Sequence, residues 1–181
     1  MNQGLIPNRY AKALYEFAAE KGSDELVFGH MQKLADAFAS EPALVKAVSN
    51  PFVSRADKIQ LLFSASGTTA DDMVMSRFMD LLADNNRLDM ARDIALAYLK
   101  IYRREHNIRL VSVTSAAPLA KAEEDRLKQL VQRHLGTATM EYTHAVDPDL
   151  IGGFVVTIDN EKLDASVANE LKELRLKLLS N

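Results

Sequence analysis

Residues 147–166 read DPDLIGGFVVTIDNEKLDAS, and two opposed structures fit the pair Gly152-Gly153 at their centre. A phosphate-cradling loop needs a helix directly after the glycines, because the anion sits on that helix's free N–H groups. The next residues are instead Phe154-Val155-Val156-Thr157, a β-branched run that reads as a strand. No Gly-Lys-Ser/Thr comes after the pair and no G-x-G-x-x-G is present. The pair is therefore expected to make a sharp corner between strands, where glycine permits the φ values that a bend or bulge demands.

Upstream of this corner, alternate residues of IRLVSVTS (108–115) are apolar or small and β-branched residues dominate, and TATMEYTHAV (137–146) alternates again. Both read as strands. Between them PLAKAEEDRLKQLVQRHLG predicts a helix beginning at Pro118, with Leu127, Leu130, Val131 and Leu135 on one face and Gly136 ending it in a left-handed conformation. GFVVTID gives a third strand, a short fourth comes next, and from about Ser166 a last helix carries Val167, Leu171, Leu174 and Leu178. The order is β-α-β-β-β-α, a small open sheet with helices.

Before about residue 107 the period is helical throughout. Pro7 suits a first helical turn, and Tyr10, Ala13, Leu14, Phe17 and Ala18 recur at helical spacing after it. Gly22-Ser23 separates this helix from one striped by Val27, Met31, Leu34 and Phe38, with Ser23 as its expected cap. Glu41-Pro42 opens a short helix that Asn50-Pro51 stops, since the residue before proline leaves the α region. Ser54 and Asp57 resemble a capping box, SASGTTADD (64–72) is the loosest segment, and Val74, Phe78, Leu81 and Leu82 make the fifth stripe. A sixth helix runs from about Leu88 almost directly into the first strand, without a Gly/Ser linker. The fold class is thus α+β: a six-helix bundle over residues 1–105, then a small α/β domain over 106–181.

The 181 residues carry 22 Lys and Arg against 25 Asp and Glu, a net charge of -3, and mean hydropathy is -0.13. Residues 1–105 hold 13 basic and 14 acidic side chains and the remainder 9 and 11, so neither half offers the basic field of a nucleic-acid binder. Seven per cent aromatic residues and no Trp leave no obvious base-stacking platform. No apolar run nears the ~20 residues that span a bilayer, and the N-terminus lacks a secretory pattern. A soluble protein on the cytoplasmic side is expected, without direct membrane insertion.

Catalytic chemistry is not expected. With no cysteine, thiolate nucleophiles and thiolate metal sites are excluded. His30, His106, His134 and His144 lie far apart with no i, i+4 partner, a pattern of surface or edge residues rather than metal ligands. Asp71-Asp72 and Glu123-Glu124 stand at predicted helix starts, where they complement the helix dipole. No cofactor, metal or catalytic residue is assigned.

Three segments, RYAKALYEFA (9–18), FMDLLADNNRLDMARDIALAY (78–98) and VDPDLIGGFVVTIDNEKLDASVANELKEL (146–174), together resemble the delta (oligomycin sensitivity-conferring) family of the F-type ATP synthase, over essentially the whole chain. One departure is Ala165, where the family often has glycine; the resemblance makes this a turn, here without positive φ. The resemblance implies a non-catalytic stator subunit that links the catalytic head (F1) to the peripheral stalk and resists rotor torque in ATP synthesis coupled to hydrogen-ion transport. It implies a monomer within a hetero-oligomeric complex at the cytoplasmic face of the cell inner membrane. The bundle would hold the N-terminal helix of an alpha subunit in a groove between its first and fifth helices, offering Tyr10, Ala13, Leu14, Phe17, Phe78, Leu81 and Leu82. The smaller domain would bind the b subunits of the stalk. Its structural turn and stalk-side corner would comprise Asp147, Leu150, Ile151, Gly152, Gly153, Phe154, Asp164 and Ser166.

Overall fold

A computed structural model describes residues 4–69, 71–167 and 169. The chain forms two compact units, residues 1–105 and 106–181.

The first unit is helical. Its elements are α1 (Leu5–Glu20), α2 (Asp24–Ser40), α3 (Pro42–Ser49), α4 (Arg55–Ser66), α5 (Met73–Asp84) and α6 (Ala91–Glu105), with a 3-10 turn at Leu88–Met90 leading into α6. Each helix buries one stripe. In α1 it is Pro7, Ala11, Leu14 and Ala18; in α2 it is Val27, Met31, Leu34 and Phe38. α6 buries the most, from Ala91 through Ile94, Ala95 and Tyr98 to Tyr102, and it is the strut against which α1 and α2 pack.

Local signals act differently from expectation in three places. Ser23 stands at the N-cap of α2, but its hydroxyl donates back to the Ala18 carbonyl at 3.4 Å instead of capping. The loose segment shrinks, because Ser64–Ser66 complete α4 and Gly67, at φ 64°, closes it in the left-handed region. Only half of the capping box at α4 forms. Ser54 Oγ accepts from the Asp57 N–H at 3.2 Å, and the Asp57 carboxylate takes the Ser54 hydroxyl at 2.7 Å.

The second unit contains β1 (Ile108–Ser115), α7 (Lys121–Leu135), β2 (Thr139–Val146), a 3-10 turn (Pro148–Leu150), β3 (Gly153–Ile158) and β4 (Glu161–Ser166). The sheet order is β2-β1-β3-β4, with β1 and β2 parallel and the other pairs antiparallel. The crossover helix α7 covers one face, over a core of Val111, Val113, Val131 and Val156. α7 starts at Lys121, three residues later than the Pro118 start read from sequence. Glu123 fixes that start by accepting from the Ala120 N–H at 3.0 Å. Gly136 ends α7 with φ 64° and ψ -117°, outside the left-handed helical region expected of it. The last predicted helix, with Leu171, Leu174 and Leu178, lies outside the described residues except for its first turn at Val167 and Asn169.

Candidate functional site

Two surfaces arise from this architecture, one on each unit. On the bundle, α1 and α5 pack together, and the spacing along each helix decides what stays accessible. Leu14 (2% exposed), Phe78 (6%) and Leu82 (0%) are committed to the bundle's own core. Tyr10 and Phe17 are half-buried and Ala13 is exposed; their i, i+3, i+7 spacing lays them along one face of α1 beside the core stripe. On α5, Leu81 remains 44% exposed beside the buried Phe78 and Leu82. Of the seven residues read as a groove, four are thus accessible and three are enclosed in the bundle core. Lys21 Nζ lies 5.9 Å from the Phe17 ring centre and adds a cation at the C-terminal end of α1.

The bundle also holds an aromatic cluster that periodicity did not reveal. The Phe28 and Tyr102 rings stack at 4.3 Å, Tyr15 meets Tyr98 and Tyr102 edge-on, and the Arg103 guanidinium covers Phe28 at 5.5 Å. The Tyr98 hydroxyl donates to the Asp24 carbonyl at 3.1 Å. Burial pushes the Tyr98 phenol well above its ordinary value, with the Asp24 charge adding to the effect. His30 is likewise no simple surface residue: Nδ1 is 3.2 Å from the Ser66 carbonyl and Nε2 is 3.5 Å from Asp72, whose carboxylate also caps α5. It joins α2 to both ends of the α4–α5 connection.

On the second unit, the 147–153 segment is a corner, as expected, but the strands it joins are not neighbours. It carries the chain from β2 across the end of β1 to β3. Two hydrogen bonds fix that crossing, Asp147 N–H to the Ser115 carbonyl at 2.8 Å and Ala116 N–H to the Gly153 carbonyl at 3.3 Å. Gly153 has φ 77°, and a Cβ there would collide with the Ala165 carbonyl oxygen and reach within 3.0 Å of Ser166 Cα. A phosphate could not use these glycines, because Gly153 is already the first residue of β3.

Of the corner residues, Leu150 and Phe154 are half-buried and Ile151 is 73% exposed. Asp164 and Ser166 do not form a turn. They are the last residues of β4, with Ala165 extended opposite Phe154 and Ser166 opposite Gly153. The Asp164 carboxylate accepts from both the N–H and the hydroxyl of Ser166, at 3.1 and 2.6 Å. Those two bonds, with Lys162 nearby, hold its carboxyl below the usual range. Ser166 Oγ in turn accepts from the Asn169 N–H at 3.2 Å, an N-cap for the chain beyond it. Where β1 ends, Ser115 is buried, and its hydroxyl donates to the Ala117 carbonyl at 2.6 Å while lying 2.8 Å from His144 Nε2. With its proton given to a carbonyl and its side chain enclosed, Ser115 is a structural group and not a nucleophile.

Residues 6–178 match the family described as the ATP synthase delta (OSCP) subunit. The chain belongs to that family. The delta subunit of Parabacteroides distasonis ATP synthase is 38% identical over 181 residues, 100% of this chain and 99% of that protein. The delta subunit of Phocaeicola vulgatus is 33% identical over 177 residues, covering 98% and 95%. In fold, the chain is similar to one in the cryo-EM structure of the Toxoplasma gondii mitochondrial ATP synthase hexamer, with a TM-score of 0.74 at 22% identity, covering 96% and 97%. A delta (OSCP) chain is a structural, non-catalytic subunit of the ATP synthase stator. No helix among the described residues is long and apolar enough to cross a membrane.

Proposed function

We propose that the bundle of this delta (OSCP) chain binds the N-terminal helix of an alpha subunit and that the second unit binds the b subunits of the peripheral stalk. The chain thereby ties the catalytic head to the stalk at the cytoplasmic face of the inner membrane. Ion flow turns the rotor, the rotor drags on the head, and a held head converts that torque into conformational change at its nucleotide sites. The task requires firm binding at both ends and no turnover. Two contacts carried on one protein also reinforce each other through effective concentration once the complex has assembled.

The observation that carries the head-side half is the accessible apolar set on the contacting helices α1 and α5. Tyr10, Ala13 and Phe17 lie along one face of α1, with the small Ala13 exposed between two half-buried rings, and Leu81 is accessible on α5, which packs against α1. An amphipathic helix docks through such i, i+3, i+7 anchors, and alanine allows its backbone close approach. Calorimetric titration of the full chain with a peptide of the same organism's alpha-subunit N-terminus tests it. Saturable one-to-one binding is expected, weakened by Ala13→Trp at an unchanged melting temperature. A folded Ala13→Trp variant that binds as tightly as the parent would remove this surface from the interface.

A further inference from the structure

The corner contains a strained backbone turn. The Gly152 N–H donates to the Leu150 carbonyl at 2.7 Å, and Ile151 between them has φ 64° and ψ -38°. This is a γ-turn of the positive-φ hand, the rarer and strained form. For a β-branched residue such a φ is an outlier, and it persists only where the surroundings over-determine it. Here they do. The Asp149 N–H donates to Asp147 Oδ1 at 3.0 Å, the Ile151 N–H to the Pro148 carbonyl at 3.2 Å, and the Val167 N–H to the Gly152 carbonyl at 3.0 Å.

The braced turn presents the Ile151 side chain, 73% exposed, with Val146 at 44% and Val167 at 39% at the same end of the sheet. Glycine would satisfy this backbone without strain, so the isoleucine is not there for the turn. The Asp147 and Asp149 carboxylates flank the knob, and neither has a cationic partner among the described residues. The N–H groups of the turn are spent on its own bonds, so a partner strand could not pair here.

We infer that Ile151, with Val146 and Val167, is the apolar anchor of the stalk-side contact, and that its partner is an amphipathic helix whose apolar stripe is flanked by lysine or arginine facing Asp147 and Asp149. The inference rests on the proposal that the second unit binds the stalk. Its test is the affinity of the full chain for the purified b subunits of the same ATP synthase, measured over a range of salt, with alpha-peptide binding as the control. Ile151→Leu, which keeps the apolar knob, should bind within about twofold of the parent. Ile151→Glu should lose roughly tenfold or more. Ile151→Gly, which relieves the backbone, should lose as much while melting no lower, and it decides the matter alone if the glutamate variant fails to fold. Asp149→Lys should weaken binding and flatten its salt dependence. Parent-like affinity in the Glu and Gly variants, or an affinity indifferent to salt, overturns the inference. A parent chain that binds the alpha peptide but not the b subunits overturns the stalk reading itself, and this inference with it.

Discussion

The two units reach definition by different means. The bundle does it by volume: Leu14, Met31, Leu34, Leu62, Met75, Met79, Leu82, Ile94 and Tyr98 are all fully enclosed, and among the described residues its positive-φ positions are Gly22, Gly67 and Asn86 between helices. The described core of the second unit has smaller enclosed side chains, a cluster of Val111, Val113, Val131 and Val156 with partly buried residues such as Leu127, Tyr142 and Phe154 packed against it. Its shape depends instead on backbone geometry at Asn107, Gly136, Ile151, Gly153 and Asp159, all at positive φ. The hairpin of β3 and β4 shows the same dependence, with Asp159 in its turn bonding the Arg109 side chain at 2.7 Å and the Leu110 N–H at 3.1 Å. Where burial is plentiful, large side chains specify the fold. Where it is scarce, particular turns do.

Gly153 and Leu82 put that contrast under the greatest stress. Gly153→Val places a side chain against the β4 backbone at positive φ and is expected to cost roughly 3 kcal/mol or more. Circular dichroism should show the sheet unit melting early while the helical signal of the bundle stays at the parent temperature. Loss of both together would mean that the units do not fold as separately as their cores suggest. Leu82→Ala should cost about 2–5 kcal/mol in urea unfolding. Its exposed neighbour Leu81→Ala should stay within about 0.5 kcal/mol yet weaken alpha-peptide binding. Equal costs at the two positions would erase the distinction between enclosed and accessible residues.

Smaller effects probe the same division between volume and turns. Ile151→Gly should raise the stability of the second unit by about 1 kcal/mol, since relief of strain outweighs the entropy gained by the unfolded chain. In the bundle, Tyr98→Phe should lower stability by about 1 kcal/mol through loss of the bond to the Asp24 carbonyl. The smallest effect is acid dependence at Asp164. Its folded carboxyl titrates below the usual range, so its stabilisation is fully present above about pH 4 and is lost as pH falls through the lower folded value. Thermal melts of the parent and Asp164→Asn should differ at neutral pH and converge in strong acid.

Much of the bundle could be read from spacing alone. The stripes at Val27, Met31, Leu34 and Phe38 and at Val74, Phe78 and Leu82 are buried as their period requires. The accessible set was less legible. Leu81 and Leu82 are adjacent and chemically identical, yet one is enclosed and the other open, because neighbouring helices set how wide each buried stripe becomes. The aromatic cluster escaped for a related reason: Tyr15, Phe28, Tyr98 and Tyr102 come from three helices that only packing brings together. In the second unit the strands were legible and their order was not.

The run of residues along the chain was enough to establish the change of period near residue 107, the helical and α/β halves, the absence of a phosphate loop at Gly152-Gly153, and the family. These are local properties, decided by which residues neighbour one another in sequence. Only folding in three dimensions settled that the corner crosses the end of β1, that Asp164 and Ser166 close a strand, and that Ile151 stands strained and exposed. The crossing and the strand end depend on hydrogen bonds between residues remote in sequence, and the corner is closed from outside by the Val167 N–H on the Gly152 carbonyl and by the Ala165 carbonyl, which fills the space a Gly153 side chain would need.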